Sequence, residues 1–318
     1  MYPILTSTTF ASFQSAYRRR CRRCRIYSLI SLLVLTASPG YANEYGTPDH
    51  HEIHRITLRR GNPIGNPVQI FKAASSPDAL RLNQAVGAFS SGTTLLYFVD
   101  FSEWTNRPHS EFLSMSASSD GQKFGPKIRL RIEPTQIGRL ATDPSVVQIS
   151  DGRIRIYFMT PGSQPGQVRI RSAISSDAVQ FQIEPDMELS APGNPEVART
   201  EKGWVMFLSD YRNDRSIVAT SSDGLHWTAS NRSFLPGSGV GALTPQTAAN
   251  SISLFLNDRG IKVYSWSEER GEQTNPSHLS RTYHTPGWIA ADPAPVLQPN
   301  GDIILYYKAQ AMRQMPPQ

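Results

Sequence analysis

The chain's 318 residues carry a net charge of +6 and a pI near 9.4, values that ordinarily point toward nucleic acid or an anionic membrane. The excess is confined to six arginines between Arg18 and Arg25, ahead of the first acidic residue, Glu44; beyond residue 42, 26 basic side chains meet 26 acidic ones. A nucleic-acid partner therefore has no electrostatic basis. Both cysteines, Cys21 and Cys24, also lie in the first 42 residues, so neither a disulfide nor a cysteine-held metal is expected after them.

Those first 42 residues have the layout of a secretory signal peptide: a basic segment ending at Arg25, an apolar run from Ile26 to Ala37, then Ser-Pro-Gly and a small-residue site ending at Ala42. The run is shorter than the ~20 apolar residues that cross a bilayer, so no stable membrane span is expected after cleavage. The expected location is secreted or periplasmic, and the expected domain is a single unit over residues 43–318. The Asp49–His54 stretch, DHHEIH, lacks the helical H-E-x-x-H spacing of a zinc site and reads as a solvated tail.

Next come two strand-like segments, Glu52–Arg60 and Pro67–Ala74, followed by a recurring unit of strand, Gly-containing turn and apolar-aromatic strand. Copies run over Ala85–Phe101, Asp143–Met159, Asn194–Asp210, Ser251–Ser267 and Asp292–Lys308. Three of them are followed by a further strand and a serine-aspartate turn, at Ser114–Phe124, Arg171–Phe181 and Val218–Trp227; Ser280–Trp288 is a worn version. Asp120, Asp177 and Asp223 each stand four residues before an aromatic, the chemistry of an Asx-type turn capped by its own side chain.

Tandem four-stranded units with few helical patterns and many turn residues predict an all-β fold, a five-bladed β-propeller. The fifth copy stops about ten residues after its second strand, leaving it without outer strands. The two early segments supply them, so N-terminal strands close the last blade and remove the free edges of an open ring.

The stretches DPSVV with DGRIRIYF, DGLHW, and NPEV with GWVMFLSD resemble those of five-bladed propeller glycosidases: arabinanases, β-xylosidases and the invertase group. The S-x-D-G turns are sialidase-like. The resemblance implies a carbohydrate partner, a monomeric hydrolase without cofactor, and carboxylic acids on successive blades around one end of the central channel. Glycoside hydrolysis needs one such group to protonate the leaving oxygen and another to activate water or attack the anomeric carbon. The matching positions are Asp143, Glu196 and Asp292. Two departures accompany them. Near the first copy stand only Asn83 and Gln84, neither able to act as a base, and Glu196 follows its proline where the family pattern has the acid ahead of it, a slip that turns a strand residue to the other face. A propeller that has lost its acid pair and binds glycan or an exported protein is the alternative. Alternating arginines at 129/131, 153/155 and 169/171 read as solvent-facing sides of outer strands.

Overall fold

The computed structural model describes residues 48–311 apart from 107–109, 139, 164–166, 192, 211–214, 235–237, 244–251, 258–260, 268–270 and 278–287. The signal-like segment 1–42 lies outside the described residues. The first two strands, β1 (Glu52–Arg59) and β2 (Asn62–Lys72), form a hairpin. Blade 1 follows with β3 (Ala74–Arg81), β4 (Thr94–Asp100), β5 (Phe112–Ser118) and β6 (Ile128–Arg129). A short strand, β7 (Arg131–Glu133), joins the outer edge of blade 2, which contains β8 (Thr142–Gln148), β9 (Ile154–Pro161), β10 (Val168–Ser175) and β11 (Gln180–Ala191). Blade 3 is β12 (Pro195–Thr200), β13 (Gly203–Asp210), β14 (Arg215–Ser221) and β15 (Thr228–Phe234). Blade 4 is β16 (Ser238–Leu243), β17 (Ile252–Asn257), β18 (Ile261–Ser267) and β19 (Gly271–Ser277). Blade 5 starts with β20 (Trp288–Leu297) and β21 (Ile303–Ala311) and is completed by β1 and β2, with β1 antiparallel to β21 from Glu52 opposite Ala309 to Leu58 opposite Ile303.

The innermost strands β3, β8, β12, β16 and β20 touch in that cyclic order, and β20 returns to β3, so the ring is closed. The fold is the expected five-bladed propeller. Each second strand is covered on both faces by neighbouring blades. Consequently β4, TLLYFVD, is buried at every position and reads as an unbroken apolar run instead of an alternating one. The hydrophobic core is divided into five clusters, one at each junction between neighbouring blades. No blade buries its faces alone, which is why the ring must close to be stable.

The serine-aspartate turns have a second purpose besides reversing the chain. The Asp120 carboxylate accepts the N–H groups of Gln122 and Lys123, Asp177 those of Val179 and Gln180, and Asp223 those of Leu225 and His226. The next residue in each, Gly121, Ala178 or Gly224, has positive φ. Its carbonyl accepts a buried tyrosine hydroxyl from the preceding blade: Tyr306 to Gly121 at 2.6 Å, Tyr97 to Ala178 at 3.1 Å and Tyr157 to Gly224 at 2.8 Å. Turn and tyrosine together tie blade to blade.

Four sequence expectations are corrected. The copy at Ser251–Ser267 supplies the second and third strands of blade 4, β17 and β18, because the inner strand is β16; Ser280–Trp288 therefore follows the fourth strand, β19, and is not a worn serine-aspartate turn. Blade 1 begins at β3, upstream of Ala85, because Ser76-Pro77-Asp78 is its inner-strand motif; residues 85–89 belong to the loop before β4. DHHEIH is not a solvated tail, since His51 is buried edge-on against Phe101 and His54 packs on Trp288 and Tyr307 while bonding Glu52 at 2.7 Å. Burial pushes the His51 imidazole down to about 3. Arg155 is also buried, ion-paired with Glu184 at 2.8 Å and bonded to the Asp223 carbonyl.

Candidate active site

Four innermost strands carry a proline flanked by small or polar residues: Ser76-Pro77-Asp78, Asp143-Pro144-Ser145, Asn194-Pro195-Glu196 and Asp292-Pro293-Ala294. Blade 4 has Gly239-Val240-Gly241 at the same place. Proline offers no N–H to the ladder. In β3, β8 and β20 the register accordingly skips between Ser75 and Asp78, Thr142 and Ser145, and Ala291 and Ala294; β16 skips between Ser238 and Val240. These are β-bulges, which redirect side chains. The leading residue adopts positive φ: 46° at Ser76, 49° at Asp143, 48° at Asp292 and 75° at Gly239. For a non-glycine residue this conformation costs on the order of 1–2 kcal/mol, and Asp tolerates it better than most. Each bulge separates its strand into two levels; β12 on blade 3 has no bulge, but Asn194 and Glu196 hold the same two positions in sequence, so the five blades together give two rings.

The outer ring, or collar, is Ser76, Asp143, Asn194, Gly239 and Asp292. Ser76, Asn194 and Asp292 retain partial solvent exposure, whereas all five inner-ring residues are buried. Lys308, on β21 just outside the bulge, places its ammonium 2.6 Å from Asp292 Oδ2. Ser76 Oγ lies 3.5 Å from that same oxygen, and the same hydroxyl lowers the proton affinity of the Asp143 carboxyl. One hydroxyl thus links two carboxyl groups contributed by blades 2 and 5. Burial raises the Asp143 carboxyl above its ordinary range, and the nearby Asp292 charge adds to this, while Ser76, Lys308 and Thr142 oppose it. The collar therefore pairs a carboxyl inclined to keep its proton with one bound to a cation. Separated acid and base roles require such an asymmetry.

The inner ring is Asp78, Ser145, Glu196, Gly241 and Ala294. Its side chains accept backbone N–H groups across blade junctions: Asp78 from Val146 at 2.6 Å, Ser145 from Val197 at 2.9 Å and Glu196 from Ala242 at 2.6 Å. Asp78 also accepts the N–H of Ala79 at 2.7 Å. Where the series lapses, the sequence removes the need for it. Gly241 has no side chain and faces Pro295, which has no N–H; a Cβ at Gly241 would lie 1.9 Å from the Pro293 carbonyl oxygen. The inner carboxyls also share a serine neighbour, Ser145, whose hydroxyl lowers the proton affinity of both Asp78 and Glu196. Burial pushes Asp78 up to about 7. Burial and then the Asp78 charge push Glu196 well above its usual value.

The structure brings Asp143 and Asp292 together and places Glu196 on the inner ring with Asp78. Glu196 occupies the register of Ser145, not of Asp143, as its position after the proline implied. Sequence reasoning missed Asp78, Ser76 and Lys308. Ser-Pro-Asp at 76–78 was a legible signal, being a further copy of the proline motif. Lys308 required knowing that β21 lies beside Asp292. Among the described residues, no group of three or more His, Cys, Asp or Glu side chains forms a metal site, and no helix is long and apolar enough to cross a membrane.

No family model matches the chain, and comparison with curated proteins finds no match. Solved structures do share the fold. An α-L-arabinofuranosidase from Fusarium graminearum, solved with an iminosugar inhibitor, is 12% identical, with 78% of this chain and 83% of that one covered at a TM-score of 0.50. An exo-β-1,3-galactanase from Phanerochaete chrysosporium, solved with β-1,3-galactotriose, is 12% identical over 81% of this chain and 66% of that one, at 0.51. Identity this low speaks to fold alone, and the fold shared with these structures is the five-bladed propeller.

Proposed function

We propose that this protein is an exported carbohydrate-active propeller that hydrolyses a glycosidic bond at the collar. Asp143 is the general acid that protonates the leaving oxygen. Asp292, paired with Lys308, is the carboxylate that activates water or attacks the anomeric carbon, and Ser76 holds the two in register. The observation that carries the reading is the Asp143–Ser76–Asp292–Lys308 chain of contacts: two carboxyls in unlike surroundings at the partly exposed level of the ring. Working pairs stand roughly 5 to 10 Å apart, and the Asp143 carboxyl lies close enough to Asp292 to feel its charge. Glu196, committed to the Ala242 N–H, is assigned to the scaffold.

The test is hydrolysis of a panel of glycans by the intact protein, Asp143→Asn and Asp292→Asn. An amide preserves shape but neither delivers a proton nor acts as a base at neutral pH, so both variants should lose turnover while remaining folded. Hydrolysis that persists in both would remove the assignment. A second reading, a propeller that binds glycan without cleaving it, has its own support: Ser76, Asn194 and Gly239 carry no acid at the other three collar positions. Binding without turnover in the intact protein would favour it. Export and a monomeric state belong to the same proposal. The leader predicts an N-terminus near Asn43, which mass spectrometry of the exported protein would read, and sedimentation would read the monomer.

A further inference from the structure

The collar has a half that the proposed chemistry does not use. On blade 3 it is Asn194, just ahead of Pro195 and two residues before Glu196. On blade 4 the leading residue is Gly239, and the side chain beside it comes from β17. Asn257 stands opposite Ser238, the residue before the blade 4 bulge, as Lys308 stands opposite Ala291, the residue before the blade 5 bulge. Asn257 is thus the register equivalent of Lys308. A Cβ at Gly239 would lie 3.7 Å from the Asn257 Cβ and 2.9 Å from Asp292 Oδ1, so the asparagine and the aspartate flank the same glycine. The amide oxygens of Asn194 and Asn257 are both buried and, among the described residues, accept no hydrogen bond.

A buried acceptor without a donor costs about 1–3 kcal/mol; two of them at the rim of one site call for a ligand that donates. Sugar hydroxyls donate and carboxylates do not. The collar's lysine ammonium is already paired with Asp292. Two amide oxygens and two carboxyls give an acceptor-rich ring with no free cation among Ser76, Asp143, Asn194, Asn257, Asp292 and Lys308.

We propose that Asn194 and Asn257 form a hydroxyl-reading subsite opposite the carboxyl pair, which selects a neutral sugar over a uronic acid. This deepens the carbohydrate reading above and rests on it, but it does not depend on turnover. The experiment is calorimetric titration of the protein carrying Asp143→Asn, which keeps ligand intact. The probes are neutral pentose and hexose oligosaccharides and oligogalacturonides. A neutral ligand should bind, and the uronates should bind at least tenfold more weakly. Asn194→Ala and Asn257→Ala should each weaken the neutral ligand by roughly tenfold, the effect of one lost hydrogen bond. Asn194→Asp, which keeps an acceptor oxygen, should hold affinity within about threefold of the parent. Thermal midpoints measured alongside identify any variant that has failed to fold, and the aspartate variant then stands as the reading. Preference for uronates, affinity unchanged by both alanine variants, or no binding to any probe would overturn the subsite. Binding with the expected pattern in a protein that hydrolyses nothing would keep the subsite and discard the catalytic reading.

Discussion

The inner and outer rings belong to the same five blades, two residues apart, and each holds two acidic side chains beside a shared serine. In the inner ring, Asp78 and Glu196 lie beside Ser145 and accept two backbone N–H groups from neighbouring blades, Val146 and Ala242, with Ala79 on Asp78's own strand as a third. In the collar, Asp143 and Asp292 face Ser76, and the remaining partner is the Lys308 ammonium. Backbone donors are fixed by the fold and cannot be exchanged for a ligand without opening a blade junction. A hydroxyl and an ammonium at the partly exposed rim can be exchanged. Burial and a raised protonation range are common to Asp78, Glu196 and Asp143, so neither feature separates scaffold from site. The identity of the hydrogen-bond partner does.

The largest expected effect breaks the rings apart by activity. Asp143→Asn should reduce hydrolysis by ~10²–10⁴-fold, the usual contribution of a general acid or base, with little change in melting temperature. Asp78→Asn should do the reverse, keeping most activity in whatever fraction stays folded. Comparable losses of activity in both variants would erase the distinction between the rings.

Next in size is stability. Asp78→Ala strips the acceptor from two buried N–H groups, Val146 and Ala79, and should cost about 1–3 kcal/mol for each group left unsatisfied. Chemical denaturation would measure it. Asp143→Ala removes no backbone acceptor and should cost clearly less.

The dependence on pH sharpens the same contrast. Asp78 binds its proton up to about pH 7 in the folded protein, against an ordinary value of 3.8. Between those values the unfolded chain releases a proton that the native state retains, so native stability falls as pH rises through this window. Below it both states are protonated and the effect vanishes. Glu196 acts in the same direction, as does Asp143 in the collar. Thermal midpoints should thus decline from about pH 4 to 7, and Glu196→Gln and Asp143→Asn should each flatten the decline by removing one proton that the native state retains. A midpoint that rises across this range would contradict the burial of the inner pair.

Much of the fold was legible because propeller blades repeat. Tyr97, Tyr157, Phe207, Phe255 and Tyr306 all face the inner-ring residue of their blade, and that aromatic in an apolar run was visible in every copy. The start of blade 1 was hidden because a 12-residue stretch, from residue 82 to 93, separates β3 from β4, where the other copies suggest a tight turn. The level of each acid within the ring was only partly legible. Asp before proline and Glu after it signal different levels, but the bulge that sets the distance between those levels follows from the whole ladder. Lys308 was illegible, since nothing in a lone lysine on a second strand announces an aspartate sixteen positions earlier across a bulge.

The smallest effect concerns what both rings depend on, the ties between blades. Tyr306→Phe removes the hydroxyl that reaches the Gly121 carbonyl and should cost about 0.5–1.5 kcal/mol. Asp120 fixes the turn that presents this carbonyl by accepting the N–H groups of Gln122 and Lys123, and those bonds hold its carboxyl below its ordinary range. Asp120→Asn keeps one acceptor oxygen and should weaken the turn slightly. If tyrosine and turn act as one tie, the double variant should lose less than the two single losses together, because a turn already loosened has less to offer the hydroxyl. Independent losses would mean that the turn presents its carbonyl without help from Asp120, and the repeated aspartate would then serve the hairpin alone.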